Sequence, residues 1–140
     1  MRAVGLDIGT RRIGVAVCDS EGVLATPYEV VERSGDRRRD HRRIVAIVEE
    51  VGAEAAVVGL PLSLDGSRGP AARAIAEEAD QLRAVLAVPV VLWDERLSTV
   101  EAERRLRSAG LKGPRRRRVV DQVAATVILQ SWLEAGQPLG

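Results

Sequence analysis

The chain has 140 residues, a formal net charge of +1 and a single cysteine, Cys18. We expect one domain over residues 1–140, a size that buries roughly two-thirds of the surface exposed by the unfolded chain. One cysteine excludes an intrachain disulfide and a four-cysteine zinc site, which suits a reducing compartment. The longest apolar run, Ala84–Trp93, is about half of the roughly 20 residues that a membrane span requires, and no signal-peptide pattern precedes the first strand. We therefore expect a cytoplasmic protein with no membrane partner.

The basic residues are almost all arginines, because Lys112 is the one lysine among 21 Lys and Arg residues. Two clusters stand out: Arg33, Arg37, Arg38, Arg39, Arg42 and Arg43, and then Arg115, Arg116, Arg117 and Arg118. Genomic base composition explains a bias toward arginine, whereas clustering favours a partner that carries phosphates. Both interpretations stay open. Three aromatic residues are too few for a platform that stacks single-stranded bases, so recognition would rest on backbone and shape.

Apolar patterns predict five strands and four helices. The strands are Met1–Ile8, Ile13–Cys18, Val23–Val31, Ala55–Leu60 and Pro89–Trp93. Pro27 cannot donate to a ladder, so the third strand should lie at an edge of the sheet. Antiparallel pairing of the first three strands and right-handed crossovers to the others predict a mixed α/β sheet in the order 3-2-1-4-5, with helices on both faces.

The helices follow from apolar residues at helical spacing. The first ends at Gly52 and has the stripe Ile44, Ile47, Val48 and Val51. The second begins near Pro70 and has the stripe Ala71, Ile75, Ala79, Leu82 and Leu86. Ser98 and Glu101 form a capping box for a third helix from about Thr99 to Gly110. After a basic loop over Leu111–Arg118, the last helix runs from about Val120 to Ala135, with Val120, Val123, Ala124, Val127 and Ile128 on its buried face.

Acidic residues fall at the ends of elements that this topology brings together: Asp7 in strand 1, Asp94 and Glu95 after strand 5, and Asp121 at the start of the last helix. Converging carboxylates repel one another unless a divalent cation neutralises them, and hard cations prefer oxygen ligands. A site for Mg²⁺ or Mn²⁺ is one interpretation. The structural alternatives are that Asp7 bonds its own turn, that Glu95 pairs with Arg96 or Arg118, and that Asp121 is favoured by the helix N-terminus.

Four ordered blocks strongly resemble the YqgF/RuvX family: Leu6–Ala16 (LDIGTRRIGVA), Val58–Leu62 (VGLPL) with Asp65-Gly66, Asp94–Thr99 (DERLST), and Val120–Ala125 (VDQVAA) with Ile128–Gln130. The resemblance implies an RNase H-like fold and a nuclease, described either as a Holliday-junction resolvase or as acting on the 5′ end of precursor 16S rRNA. It also implies that Asp7, Glu95 and Asp121 are catalytic metal ligands. Candidate contacts to nucleic acid are Arg11, Arg12, Arg96, Ser98, Thr99, Arg115, Arg116, Arg117 and Arg118.

The chain departs from the wider RNase H-like group at the end of strand 4. Resolvases of that group place an acidic residue there, where this chain has Gly59-Leu60-Pro61. The second carboxylate must then come from strand 5. Asp94 and Glu95 point to opposite sides of an extended chain, so one of them faces the site, and we predict that it is Glu95.

Two other classes of function remain as alternatives. In a non-catalytic nucleic-acid-binding module the carboxylates would be structural and the arginines would supply the affinity. The Asp7-Ile8-Gly9-Thr10 pattern also opens the nucleotide site of actin-like and sugar-kinase folds, but those need two such domains around a cleft.

Overall fold

The structure is a computed structural model that describes residues 1–97 and 117–139, with the backbone alone described over residues 117–122. The helix predicted over 99–110 and most of the predicted basic loop lie outside the described residues. None of the helices in the described part of the chain is long and apolar enough to cross a membrane.

The sheet has five strands in the order β3-β2-β1-β4-β5, which confirms the predicted order. Their bounds are β1 Val4–Ile8, β2 Arg12–Cys18, β3 Ala25–Glu32, β4 Ala56–Leu60 and β5 Val90–Asp94. Strand β1 pairs antiparallel with β2 and parallel with β4, and β4 pairs parallel with β5. The edge strand β3 contains Pro27, which lies opposite Ala16 beside a shift of register. The central position of β1 follows, and it places Asp7 in the middle of the sheet.

Three described helices cover the two faces of the sheet: α1 Arg37–Val51, α2 Pro70–Val85 and α3 Arg117–Glu134. The N-cap of α1 is Asp36, whose side chain accepts from the backbone N–H groups of Arg38 and Arg39, and α1 ends at Gly52 with φ 65°. Leu6 and Val15 pack with Ile44 of α1 and Leu82 of α2 in one core layer. A second layer on the opposite face holds α3. Helices on both faces are therefore confirmed.

The predicted stripe of α2 is wrong at its first member. Ala71 is exposed, and Ala72 and Ala76 are buried in its place. Leu86 is buried but lies one residue beyond the helix, because its backbone is extended. The apolar pattern thus located the helix but misjudged its rotation by one residue at the N-terminal end.

The predicted buried face of α3 is also partly wrong, and so is its start, because Arg117 and Arg118 are helical rather than part of a loop. Val123, Ala124 and Val127 are only half-buried. The fully buried positions include Ala125, Ile128, Leu129, Trp132 and the polar residues Thr126, Gln130 and Ser131. Polar residues are tolerated there because they are bonded: the Gln130 amide accepts from Ala25 N at 2.8 Å and donates to Val23 O at 3.1 Å.

Helix α3 lies very close to β1 because of Gly5. A Cβ at Gly5 would lie 2.7 Å from Leu129 Cβ and 2.8 Å from Ala125 O. Only glycine allows this approach, so the sequence of β1 sets how closely α3 covers the sheet.

Candidate active site

Asp7 lies on the face of the sheet that α3 covers. Successive strand residues point to opposite faces, so Asp7 shares its face with Gly5, against which α3 packs. Its neighbour across the antiparallel ladder is Gly14 of β2, and the Asp7 side chain is half-buried. The next residues turn back at once, since Gly9 N donates to Arg12 O at 2.9 Å.

Glu95 reaches the same face from β5. It opens a short 3₁₀ turn directly after the strand. Two residues earlier, Trp93 Nε1 donates to Ser131 Oγ of α3 at 3.1 Å, which fixes this side of β5 toward α3. The Glu95 carboxylate then lies over Gly59 of β4, with Oε1 only 2.8 Å from the point that a Cβ at Gly59 would occupy.

Gly59 explains how this chain does without an acidic residue at the end of β4. The space above Gly59 holds the ends of two other side chains, Glu95 of the turn after β5 and Ile128 of α3. Sequence reasoning recorded the glycine only as a missing acid. A glycine inside a strand signals close approach by another group, and that signal could have identified the position.

The charges of Asp7 and Glu95 act on each other. Burial raises the pKa of Glu95, and the negative charge of Asp7 and then that of Asp94 raise it further. A half-buried carboxylate that is hard to ionise beside a second carboxylate is the arrangement that a divalent cation relieves. The described pair therefore fits a hard metal ion.

Asp94 takes the opposite side of the chain. Its carboxylate accepts from Arg96 N at 2.9 Å and from Arg96 Nη2 at 2.7 Å. These bonds to Arg96 lower the pKa of Asp94. Arg96 thus pairs with Asp94 rather than with Glu95, which contradicts one of the two structural alternatives for Glu95; the other, pairing with Arg118, involves a side chain outside the described residues. Of the two carboxylates, Glu95 is the one whose pKa the charge of Asp7 raises.

Asp121 lies within the helical backbone of α3, four residues before Ala125. Its side chain lies outside the described part of the structure. Among the side chains that are described, no three His, Cys, Asp or Glu residues group as a metal site. The structure brings Asp7 and Glu95 near each other, and the metal-binding role of Asp7, Glu95 and Asp121 stays a prediction.

A buried ion network supports the turn after Asp7 from the other face of the sheet. Arg33, just beyond β3, donates from its backbone N to Arg11 O and from Nε to Gly9 O, both at 2.9 Å. Its two terminal nitrogens donate to Glu78 of α2 at 2.9 and 2.7 Å. His41 Nε2 bonds the same carboxylate at 2.8 Å. Sequence analysis assigned Arg33 to a basic cluster and missed Glu78, whose partner is 45 residues away.

The predicted nucleic-acid contacts divide into three groups. Arg12 Nε donates to Glu32 at 3.1 Å, and Arg96 Nη1 donates to Leu64 O at 3.0 Å in addition to its bonds with Asp94. Arg12 and Arg96 therefore also form bonds within the protein. Arg11 is exposed in the turn after Asp7. The side chains of Ser98, Thr99, Arg115, Arg116, Arg117 and Arg118 lie outside those that the structure describes.

The sheet order and the two covered faces are those of an RNase H-like fold. A solved structure of this class is similar over nearly the whole chain: RuvC of T. thermophilus, determined in complex with a Holliday junction substrate, matches with a TM-score of 0.64 and 21% identity over 98% of this chain and 97% of that chain. At this identity the likeness shows the fold.

The family follows from the sequence comparisons. The family model described as "RuvX: Holliday junction resolvase" matches residues 1–135. A protein of Desulforudis audaxviator named "Putative pre-16S rRNA nuclease" is 50% identical over 135 residues, which cover 96% of this chain and 95% of that protein. A Geobacillus thermodenitrificans protein of the same name is 46% identical over 96% of this chain and 99% of its own. This chain belongs to the RuvX family.

Proposed function

We propose that this chain is a divalent-metal-dependent nuclease that hydrolyses phosphodiester bonds in precursor 16S rRNA, at its 5′ end. The observation that carries the proposal is the convergence of Asp7 and Glu95, half-buried on the face that α3 covers. Family membership supports the reaction class, and the names of the relatives support the RNA substrate.

Each residue has a role that its position suggests. Asp7, Glu95 and Asp121 would hold the cation, and bound Mg²⁺ or Mn²⁺ would stabilise the charge that develops on the phosphate. Gly59 leaves the space that Glu95 occupies. Arg33, held by Glu78, bonds the turn that follows Asp7, so it would steady the end of β1 that carries this carboxylate. Arg11, which is exposed in that turn, would meet a flanking phosphate.

A second candidate substrate is branched DNA. The description of the family model and the RuvC-like fold favour it, and contacts to backbone phosphates do not distinguish RNA from DNA. The chemistry at the carboxylates would be the same for both substrates.

A cleavage assay with both substrates tests the proposal. A fragment spanning the 5′ end of precursor 16S rRNA and a four-way DNA junction are incubated with the protein in Mg²⁺ and in EDTA. We expect the RNA to be cleaved in Mg²⁺ and to stay intact in EDTA. Glu95→Gln should lower the rate by more than about 100-fold, since even residues behind metal ligands cost 10–100-fold.

The neighbouring carboxylate is the matched control. Asp94→Asn removes one charge from the adjacent residue, whose carboxylate pairs with Arg96, and should affect the rate far less. Cleavage in EDTA, or equal losses in the two variants, would overturn the proposal. Preferential cleavage of the junction would show that the substrate is branched DNA rather than precursor rRNA.

A further inference from the structure

The first arginine cluster separates into arginines that pair with nearby carboxylates and arginines that are exposed on α1. Arg33 pairs with buried Glu78, and Arg43 pairs with Glu29 and, at 2.9 Å, with Glu50. Arg38 and Arg42 of α1 are exposed and lie in the same helix. Arg37 belongs to both groups: its Nη1 donates to Gln81 at 3.2 Å and its Nη2 lies 3.6 Å from the Glu78 carboxylate, while 45% of its side chain is exposed.

Two grooves meet at Arg37. The first has a volume of about 570 Å³ and lies between the turn after Asp7 and the start of α1, with Arg11, Arg12 and Arg37 in its lining. The second has a volume of about 710 Å³ and lies between α1 and α2, with Arg37, Arg38 and Arg42 in its lining. We call the surface formed by Arg11, Arg37, Arg38 and Arg42 the basic track. It leads from the turn beside Asp7 to the outer surface of α1 and α2.

The track carries an excess of positive charge. The acidic residues in the two linings are Glu32 and Asp40. Glu32 pairs with Arg12 at 3.1 Å, and Asp40 is buried, where it accepts from Ser34 Oγ at 2.8 Å. Their charges are therefore engaged locally, and those of Arg11, Arg38 and Arg42 dominate the open surface.

Helix stability does not account for the arginines at the start of α1. Arg37, Arg38 and Arg39 occupy its first turn, where the helix dipole disfavours positive charge. Asp36 satisfies the N–H groups of Arg38 and Arg39 with its own carboxylate, so the cap needs none of the three guanidinium groups. Arg37 reaches Gln81 and Glu78, whereas neither the cap nor the helix dipole explains Arg38 and Arg39.

We propose that the basic track binds the sugar–phosphate backbone of the substrate on one side of the cleaved bond. The inference rests on the proposed nuclease function and adds the path that the substrate takes. Arginine matches phosphate with a planar fork, and the rest of the α1–α2 groove includes the aliphatic Val45, Ala84 and Val85. The imidazole of His41, also in the lining, is buried and bonded to Glu78. The track therefore reads charge and backbone shape, without stacking bases.

The test measures binding without cleavage. Dissociation constants for a precursor 16S rRNA fragment are measured in EDTA between 50 and 300 mM KCl for wild type and for the double variant Arg38→Gln/Arg42→Gln. Each lost phosphate contact removes about 0.7 from the log–log salt slope for single strands and about 0.9 for a B-form duplex. We expect the slope of the double variant to fall by roughly 1.4–1.8 and its affinity at low salt to fall by at least about tenfold.

The matched control is Arg2→Gln. Arg2 is exposed before the start of β1, the end of the strand remote from the turn after Asp7, and its Nη1 donates to Val51 O at 3.4 Å. This variant should keep the wild-type slope. Equal salt slopes in the wild type, the control and the double variant would overturn the proposal that the basic track binds the substrate. A wild-type protein that binds with the expected dependence on Arg38 and Arg42 but cleaves nothing would instead overturn the nuclease function and leave the track in place.

Discussion

Gly59→Ala tests whether the position of Glu95 matters for cleavage. The added Cβ would lie 2.8 Å from Glu95 Oε1 and would overlap Ile128 Cδ1. Ordinary contacts begin at about 3.4 Å, so the carboxylate oxygen would move by about 0.6 Å to regain one. Both obstructing atoms are the ends of flexible side chains, so the backbone of α3 can stay in place.

The expected losses differ in size for stability and for cleavage. Overpacking of this kind costs about 1–3 kcal/mol of unfolding free energy. A misplacement of about 1 Å at a reacting group costs up to about 100-fold in rate, so a shift of about 0.6 Å should lower the rate by about 10–100-fold. Thermal melts and single-turnover cleavage in Mg²⁺ measure the two quantities on the same samples.

The double variant Gly59→Ala/Ile128→Val separates the two effects. Valine lacks the Cδ1 atom that meets the new methyl group, so part of the lost stability should return, less about 0.5–1.5 kcal/mol for the smaller side chain. The clash with Glu95 remains, so cleavage should stay low. Recovery of cleavage in the double variant would refute the reasoning, since the loss would then come from the packing of α3. Wild-type cleavage by Gly59→Ala would show that the carboxylate does not act where the structure places it.

Three further predictions concern charge. The melting temperature of Asp7→Asn in chelator should be no lower than that of wild type, because the substitution relieves the repulsion that raises the pKa of Glu95. The variant should also gain less stability from Mg²⁺. A lower melting temperature in chelator, with as large a gain from Mg²⁺ as wild type shows, would make Asp7 a structural residue. Glu78→Gln should cost about 3–5 kcal/mol at neutral pH, since it leaves Arg33 without its buried partner. Burial raises the pKa of Glu78, but its bonds to Arg33 and His41 outweigh burial, so the net pKa is lowered. The stability from this carboxylate is therefore present above the ordinary carboxyl pKa and is lost as the pH falls below that value. Urea unfolding from pH 3 to 7 should show the stability difference between wild type and Glu78→Gln vanish in acid, and a constant difference would contradict the assignment. Changing all four arginines from 115 to 118 to Gln should reduce the salt slope of RNA binding by up to about 0.7 per contact, and an unchanged slope would remove them from the interface.

The sequence alone determined the order of the sheet and the candidate carboxylates. Pro27 can lie only where a missing N–H is harmless, which placed β3 at an edge and hence β1, with Asp7, in the centre. Alternation along an extended chain required Asp94 and Glu95 to face opposite ways. These conclusions depend on local covalent geometry and on short-range pairing rules, so one sequence was enough for them.

The tertiary structure decided what surrounds those carboxylates. Glu95, rather than Asp94, approaches Asp7 because β5 lies beside Gly59, and that neighbour is 36 residues earlier in the chain. The Arg33–Glu78 pair joins the end of β3 to α2, and its partners are 45 residues apart. The face of α3 was misjudged because buried Gln130 and Ser131 interrupt the apolar period that sequence reasoning follows. A polar residue is buried when a specific partner satisfies it, and that partner exists only once the chain has folded.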